Sequence, residues 1–379
     1  MRRIFLSAIL LVVTAGSLHA AGPSDVAGGD RAFWPSPLNS TASFDLASRA
    51  ELLAFGKALA DSERIDDQAL QQQLQIKSFD HASVERIRAT YWQRLTANYM
   101  LAAAHCDIRQ PFCSPVHDQA EFKHAAAAFV AAPAPEYRAW FDQASTFQHV
   151  YLNELLRLAA LFPRVDSEVM SFSSQEIDGH ALGDREFLLS FDDGPTRAGG
   201  STDAMLQILR SLHMNATFFT LGEPLQARLK QSSPASVAAS YQGMCVGAHG
   251  WEHRSHSAWP EWRDSVTRSM ALVHDNLPDS YVPLFRPPFG QRRPDSGDFF
   301  AQHGWHVALW NIDSQDWNAK VDADQVKQRV LTLMLLWRHG IILFHDIHTK
   351  AQVSVPWLHN QLHDSGVQWL DCRRFSAGT

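Results

Sequence analysis

The feature that most constrains the fold of this chain is a regular alternation of short apolar runs with helical stretches, beginning near residue 185. The apolar runs are Phe187–Phe191, Ala216–Leu221, Met244–Ala248, Val307–Trp310, Ile341–Phe344 and Val367–Leu370. The helical stretches lie near 202–213, 261–277, 322–338 and 355–364. Strands that alternate with helices build parallel sheets, whose functional groups stand at the carboxyl ends of the strands. Residues 185–375 are therefore predicted to form an α/β domain with its sheet either open or closed into a barrel.

Residues 43–163 have a different pattern and predict a mainly α-helical N-terminal domain. Apolar residues recur there at the three- and four-residue spacing of a helix face. The clearest series are Val84, Ile87, Tyr91, Leu95, Tyr99 and Ala102, and then Phe147, Tyr151, Leu155, Leu158 and Phe162. Ser83 is the expected N-cap of the first series, and Pro163 ends the second. Turn-rich stretches at 21–42 and 164–184 are expected to be linkers. The role of the helical domain stays open.

Residues 1–20 have the features of a secretory signal peptide. Arg2 and Arg3 precede the apolar run Ile4–Val13, and mostly small residues follow it up to Ala20. The run is shorter than the roughly 20 apolar residues that span a bilayer, so a cleaved signal fits better than an anchor. We expect cleavage near Ala20 and export of the mature protein, periplasmic or secreted, with no membrane span left.

The net charge limits which partners the protein can bind, and the cysteine content bears on the redox state of its compartment. The chain has 33 Lys and Arg against 40 Asp and Glu, a formal net charge of −7, so it lacks the basic character that non-specific nucleic-acid binding requires. Four cysteines in an oxidising compartment can pair in three ways. We favour Cys106–Cys113, which closes a short loop, and Cys245–Cys372, whose flanks both read as strands. Buried free thiols are the alternative.

Five polar motifs carry the chemistry; each is interpreted as lying at a strand end, and four of them directly follow or overlap the end of one of the apolar runs given above. They read FDDGP from Phe191, HGWEH from His249, FRPPFG from Phe285, WNIDSQDW from Trp310 and LFHDIH from Leu343. The adjacent acids Asp192 and Asp193 can face different ways, one toward a cation and the other toward a proton. Imidazoles four residues apart, as in His249 and His253, can share one metal ion if the segment turns helically. The nearby His256 is interpreted as uninvolved.

The remaining motifs supply charge and proton transfer. Arg286 is permanently charged and can hold a carboxylate in its ionised form. The prolines before Phe289 stiffen its loop and leave the Phe289 backbone N–H to aim at an oxyanion. His345 ends a very apolar strand and is a natural general acid when a carboxylate lies near it. Trp251, inside the second motif, suits either sugar stacking or core packing.

Together the five motifs resemble those of the polysaccharide deacetylases, the carbohydrate esterases that share the NodB homology domain. The resemblance covers about residues 185–372 and implies a distorted or incomplete (β/α) barrel. It also implies that Asp193, His249 and His253 hold a divalent metal, usually zinc, with cobalt, nickel and manganese as alternatives.

The same resemblance assigns roles to the other motif residues. Asp192 would be the catalytic base, held by Arg286, and the Phe289 N–H would contribute to the oxyanion hole. His345 would protonate the leaving amine, and Asp316 would orient His345. These roles agree with those inferred from the residue types.

The substrate pocket and two departures from the family pattern complete the comparison. Trp317 and Leu343 would wall the acetate pocket, and Trp251 is a further candidate for the substrate pocket. Gly250 stands where the second motif usually has Ser or Thr, so a hydroxyl that braces the loop is lost. Phe289 stands where Tyr is frequent, which matters little if the donor is the backbone N–H.

The sequence therefore predicts an exported, metal-dependent enzyme that removes N-acetyl groups from a glycan containing N-acetylglucosamine. Exopolysaccharide, chitin fragments and peptidoglycan are the candidate substrates. An O-acetyl polysaccharide esterase is the leading alternative, because the same site can attack either acetyl group. An inactive glycan-binding module fits less well, since binding needs no paired base and acid. A ferrous oxygenase also uses one carboxylate and two histidines, but the ordered acid, arginine and histidine motifs fit hydrolysis better.

Overall fold

The computed structural model describes residues 25–130, 135–161 and 171–376. The predicted signal peptide lies outside these ranges, as do Pro163 and parts of both predicted linkers. None of the helices in the described ranges combines the length and the apolar character that a bilayer crossing requires.

Five helices form the first layer of the fold. They are α1 (Thr41–Ser62), α2 (Asp67–Gln73), α3 (His81–Ala103), α4 (Gln119–Ala127) and α5 (Arg138–Leu161). The apolar series predicted for α3 is buried along its whole length, as expected for a helix face that packs on a core. The N-cap of α3 is Asp80 and not Ser83, because the Asp80 carboxylate accepts the Ser83 N–H at 2.8 Å. An acid four residues before Val84, the first apolar residue of the series, is the better capping signal.

The second layer alternates strands and helices. In chain order it contains β1 (Glu176–Ile177), β2 (Glu186–Asp192), α6 (Ser201–Ser211), β3 (Thr217–Thr220), α7 (Gly222–Gln231), α8 (Pro234–Ser240), β4 (Cys245–Ala248), α9 (Trp262–Asn276), β5 (Tyr281–Phe285), α10 (Gly297–His303), β6 (His306–Ala308), β7 (Ile312–Asp313), α11 (Ala323–Trp337), β8 (Gly340–His345), α12 (Lys350–Gln361), β9 (Gln368–Trp369) and α13 (Cys372–Ser376). All six predicted apolar runs contain strands. Strands β1, β5 and β7 and helices α7, α8, α10 and α13 were not predicted.

The strands form one curled parallel sheet. Their order is β1-β6-β5-β4-β3-β2-β8-β7, and β9 pairs with the start of β2. All strand pairs among the described residues are parallel. The order ends at β1 and β7, which do not pair with each other, so the barrel is incomplete. The expected α/β fold, an incomplete (β/α) barrel preceded by helices, is confirmed.

A shared core joins the helical layer to the outer face of the sheet. Helix α11 lies between them, and Trp337 at its end packs against Phe55, Tyr91 and Tyr151, with ring centroids 5.8, 5.6 and 6.4 Å away. Ser48 Oγ of α1 donates to the carbonyl of Leu335 at 2.7 Å. The first layer therefore covers α11, and α11 in turn covers the strands.

Residues 27–38, here called the strap, lie within the stretch predicted as the first linker. Ala27, Trp34 and Leu38 of the strap are buried. The Ala27 N–H donates to Glu154 Oε1 at 2.6 Å, and the Ala27 carbonyl accepts from Arg329 Nη1 at 3.2 Å. The strap is thus fixed to both α5 and α11.

The two predicted disulfides, Cys106–Cys113 and Cys245–Cys372, are both present, and the described part of the chain contains no free cysteine. The first closes the loop after α3. The second ties β4 to α13, 127 residues later. The favoured pairing is confirmed over the free-thiol alternative.

Candidate metal centre and active site

The candidate site lies at the carboxyl edge of the sheet, where five strands end. β2 ends at Asp192 and β8 ends at His345, and these two residues are partners in the register of the adjacent strands. His249 directly follows β4, Arg286 directly follows β5, and Asp316 comes three residues after β7. The structure therefore brings residues from all five motifs to one edge, as the α/β pattern predicted.

Asp193, His249 and His253 form a cluster whose ligand atoms all lie within 4.8 Å of one another. Asp193 Oδ1 is 3.4 Å from Nε2 of each histidine. The His249 Nδ1–H donates to the backbone carbonyl of Arg286 at 2.7 Å, which fixes the tautomer and leaves the Nε2 lone pair for a ligand. No second cluster of three such residues occurs in the part of the chain that the structure describes.

The donor set of this cluster fits a divalent cation. Asp193 Oδ1 is buried without a hydrogen-bond partner, an arrangement that is unfavourable unless a cation or water binds there. Burial acts to raise the pKa of Asp193, but the proximity of its carboxylate to His249, and then to His345 and His253, outweighs burial, so the pKa is lowered. Burial, and then the proximity of His249, lower the pKa of His253 to about 4. Near pH 7 the cluster thus offers a carboxylate and a neutral His253 imidazole, the forms that bind metal.

Asp192 is held by a fully buried arginine. Arg286 Nη1 donates to Asp192 Oδ1 at 2.9 Å and to Ser190 Oγ at 2.8 Å. Its Nε and Nη2 donate to the carbonyls of Ala308 and Leu309, both at 3.0 Å. Asp192 Oδ2 lies 3.7 Å from His249 Nε2. One carboxylate oxygen of Asp192 is therefore fixed by the arginine, while the other lies beside the cluster.

His345 is held by a fully buried carboxylate. The His345 Nδ1–H donates to Asp316 Oδ1 at 2.7 Å, and the His345 backbone N–H donates to Asp316 Oδ2 at 2.9 Å. Burial acts to lower the pKa of His345, but the charge and hydrogen bond of Asp316, with the charges of Asp193 and Asp192, raise it to about 10. The imidazole is therefore protonated at neutral pH and can donate a proton from Nε2.

Phe289, Trp317 and Leu343 lie next to these residues. Phe289 has a φ of 61° in its 3-10 turn, and its ring packs against His253 with centroids 4.4 Å apart. Trp317 directly follows Asp316 and is 37% exposed. Leu343 is buried on β8 two residues before the end of the strand, on the same face as His345. Their roles as oxyanion donor and pocket walls stay predictions.

Trp251 occupies a packing position. Its indole lies against Gly222, where an added Cβ would come within 2.5 Å of the ring. The guanidinium of Arg268 on α9 lies 3.8 Å from a ring centroid on the same indole. Neighbouring groups therefore cover much of the indole, and a place for Trp251 in the substrate pocket stays a prediction.

Ser265 and His256, here called the loop brace, hold the loop between the two histidines of the cluster. The Trp251 N–H donates to Ser265 Oγ at 2.8 Å, and His256 Nε2 lies 3.1 Å from the same oxygen. Gly250 has a φ of 89°, and a Cβ there would lie 2.8 Å from His256 Cε1. The buried His256 ring thus fills the space that a side chain at position 250 would need. The sequence analysis interpreted His256 as uninvolved, whereas its ring packs against the loop, and it missed Ser265, which looks like one polar residue among several on α9.

The chain is similar to several polysaccharide-modifying enzymes. Residues 180–308 match the family model described as polysaccharide deacetylase. A peptidoglycan-N-acetylglucosamine deacetylase of Bacillus cereus is 29% identical over 191 residues, covering 48% of this chain and 67% of that protein.

Two further relatives extend the comparison. The peptidoglycan-N-acetylmuramic acid deacetylase PdaC of Bacillus subtilis is 29% identical over 189 residues, covering 48% of this chain but 36% of PdaC. Chitin deacetylase 1 of Saccharomyces cerevisiae is 28% identical over 167 residues, covering 41% of this chain and 50% of the yeast protein. The chain therefore spans less than two thirds of either of these two relatives.

Proposed function

We propose that this protein, whose residues 180–308 belong to the polysaccharide deacetylase family, removes N-acetyl groups from a glycan that contains N-acetylglucosamine. The observation that carries the proposal is the register pairing of Asp192 with His345 beside a cluster that fits a cation. The candidate base Asp192 and the candidate acid His345 therefore lie side by side at the carboxyl edge of the sheet. Hydrolysis of an amide needs both, because a proton must leave water and another must reach the amine.

The roles follow from the contacts of each side chain. A divalent cation on Asp193, His249 and His253, with zinc the best match to these donors, would supply an acidified water and a Lewis acid for the acetamide carbonyl. Asp192, held by the hydrogen bond from Arg286, takes the proton of the attacking water. The Phe289 N–H stabilises the oxyanion that forms as water adds to the carbonyl carbon.

Collapse of the tetrahedral intermediate needs a proton on nitrogen. His345 donates that proton from Nε2 while Asp316 holds its Nδ1–H, so the carbon–nitrogen bond breaks and a free amine leaves. The acetyl carbon, now bonded to the oxygen of water, leaves as acetate. Trp317 and Leu343 enclose the methyl group of the acetyl.

The substrate class rests on the relatives and on charge. The names of the three relatives specify peptidoglycan or chitin, and both polymers contain N-acetylglucosamine. A net charge of −7 suits a neutral glycan that becomes cationic as it loses acetyl groups. The two disulfides, together with the signal-like residues 1–20, support export to an oxidising compartment.

The test is incubation with defined oligosaccharides, followed by mass spectrometry and an assay for free amines, with and without a chelator. Chitin oligosaccharides, peptidoglycan fragments and acetylated xylo-oligosaccharides separate the substrate classes. We expect acetyl loss with matching amine release from the first or second, abolished by chelation and restored by zinc. Asp192→Asn should abolish turnover while metal content stays near normal. Acetate release without amine would instead identify an O-acetyl esterase, and no acetate from any glycan would favour a binding module.

A further inference from the structure

A buried ion pair connects the helical layer to α11. Arg329 donates from Nη1 to Glu154 Oε1 at 3.0 Å and from Nη2 to Glu154 Oε2 at 2.7 Å. The side chains are only 1% and 6% exposed. Two parallel hydrogen bonds of this kind fix the orientation of a guanidinium as well as its position. Burial alone would lower the pKa of Arg329, but the charge and hydrogen bonds of Glu154 raise it, so Arg329 stays charged.

The remaining donor of Arg329 reaches the active-site edge of the sheet. Its Nε donates to the backbone carbonyl of Asp313, the last residue of β7, at 2.9 Å. The Asp313 carboxylate accepts the Gln315 N–H at 2.8 Å and Gln315 Nε2 at 2.9 Å. Gln315 has a φ of 58°. Residues 313–316 therefore form a tight, internally bonded turn whose start is fixed by Arg329.

This turn carries the carboxylate that holds His345. The Asp316 N–H donates to Ser314 Oγ at 3.3 Å, and both Asp316 oxygens bond to His345. Hydrogen bonds from α5 to the end of β7, the covalent backbone of the turn, and the two bonds from Asp316 thus connect the helical layer to the imidazole at the end of β8. We propose that Glu154 and Arg329 are positioning residues for His345, so that the helical layer forms part of the catalytic unit. The proposal rests on the proposed function only in taking His345 as the proton donor.

The same layer contains a second buried ion pair that serves as a matched control. Glu51 of α1 pairs with Arg31 of the strap, with side chains 1% and 7% exposed. Glu51 also accepts from Trp140 Nε1 at 3.1 Å and from Gln148 Nε2 at 2.8 Å. All three partners belong to the strap or to α5. Neutralising Glu51 therefore removes a comparable buried charge without touching the turn at 313–316.

The experiment compares Glu154→Gln with Glu51→Gln in the full-length, metal-loaded protein. Without the Glu154 carboxylate, Arg329 is no longer fixed in place. This should lower kcat by about tenfold or more, because a small displacement of a catalytic group strongly slows the reaction. KM and metal affinity should stay unchanged, and the alkaline limit of the rate profile should move to lower pH. Glu51→Gln should lower the melting temperature comparably and leave kcat unchanged. Equal effects of the two variants on kcat would overturn the proposal.

Two further measurements keep the result decisive. If Glu154→Gln does not fold, Arg329→Lys retains the charge but loses the donor to Asp313, and it should show the same loss of kcat; a wild-type kcat would overturn the proposal. The titration of the His345 imidazole can also be followed by NMR in metal-free protein, with the resonance assigned by its loss in His345→Gln. The titratable groups that act on His345 include Asp316, Asp193 and Asp192, and also Asp313, Asp346 and His348, whose ring centroid is 6.0 Å from that of His345. A shift to lower pH in Glu154→Gln but not in Glu51→Gln supports the proposal even if no deacetylation is detected. No shift overturns it.

Discussion

At the scale of single residues, most polar groups of the site have hydrogen-bond partners, and one carboxylate oxygen has none. Every nitrogen of Arg286 donates to an oxygen, and both oxygens of Asp316 accept from His345. Asp193 Oδ1, by contrast, is buried without a partner. The satisfied groups fix the positions of Asp192 and His345, the candidate base and acid. The unsatisfied oxygen is the one available to a cation.

Asp316→Asn should move the alkaline limit of the rate profile to lower pH. The raised pKa of His345, about 10, means that the imidazole stays protonated through neutral pH and loses its proton only as pH rises through that value. A neutral amide removes the charge that contributes most to raising this pKa, so deprotonation and loss of rate begin at lower pH. The measurement is kcat against pH for both proteins. An unchanged alkaline limb would show that His345 does not limit the rate there.

Ser265→Ala should weaken metal binding. The Ser265 hydroxyl accepts the Trp251 N–H and contacts His256, so its loss frees the loop that carries His253. We expect the dissociation constant for zinc to rise by about tenfold, as for other residues that orient metal ligands. Chelator competition with the metal-free protein measures it. Ser265→Thr keeps the hydroxyl and should bind zinc like the wild type; equal affinity in all three proteins would contradict the role of the brace.

At the scale of elements, the sequence predicted those with a strong apolar signal and missed the others for identifiable reasons. β5 reads YVPLF, and the proline within it weakens the strand signal. β7 has only two residues, Ile312–Asp313, and α7 is mostly polar. Register and pairing partners set these elements, and neither can be read from local sequence.

The motif residues were predictable because their types and order are specific, whereas their supports were not. Ser265 and Glu154 each make two or three hydrogen bonds to residues outside their own helices. Arg329 gave one faint signal, a charge on the apolar face of α11. Such a charge needs a buried partner, but nothing in the sequence names Glu154 as that partner.

At the scale of the whole molecule, the helical layer and the sheet share one core around α11. The sequence indicated two regions of different texture and could not indicate their packing. Phe55 and Trp337 look like ordinary core residues of either region, yet they contact each other across the boundary. The strap adds polar contacts to both α5 and α11. The packing of the first layer on α11 could therefore be learned only from the structure.

The two disulfides should stabilise this molecule unequally. Cys245–Cys372 closes a loop with a sequence separation of 127, and Cys106–Cys113 one of 7. Chain entropy then gives about 5 kcal/mol for the long loop and about 2.5 kcal/mol for the short one. Replacing each pair by alanines and measuring the free energy of unfolding in urea tests this order. A larger loss from the Cys106–Cys113 pair would show that strain or residual structure outweighs loop entropy.

The register pairing of Asp192 with His345 has a consequence for how such an enzyme changes over time. Their backbone separation is the spacing of neighbouring strands, about 4.8 Å in any sheet, and no loop sets it. Insertions in the surrounding loops can therefore change the shape of the surface around the site while Asp192 and His345, the proposed proton-transfer pair, stay where they are. A one-residue slip of either strand would turn one of the two side chains to the opposite face. Under the proposed function, substrate specificity can therefore change by loop insertion while the spacing of the proposed base and acid is inherited unchanged.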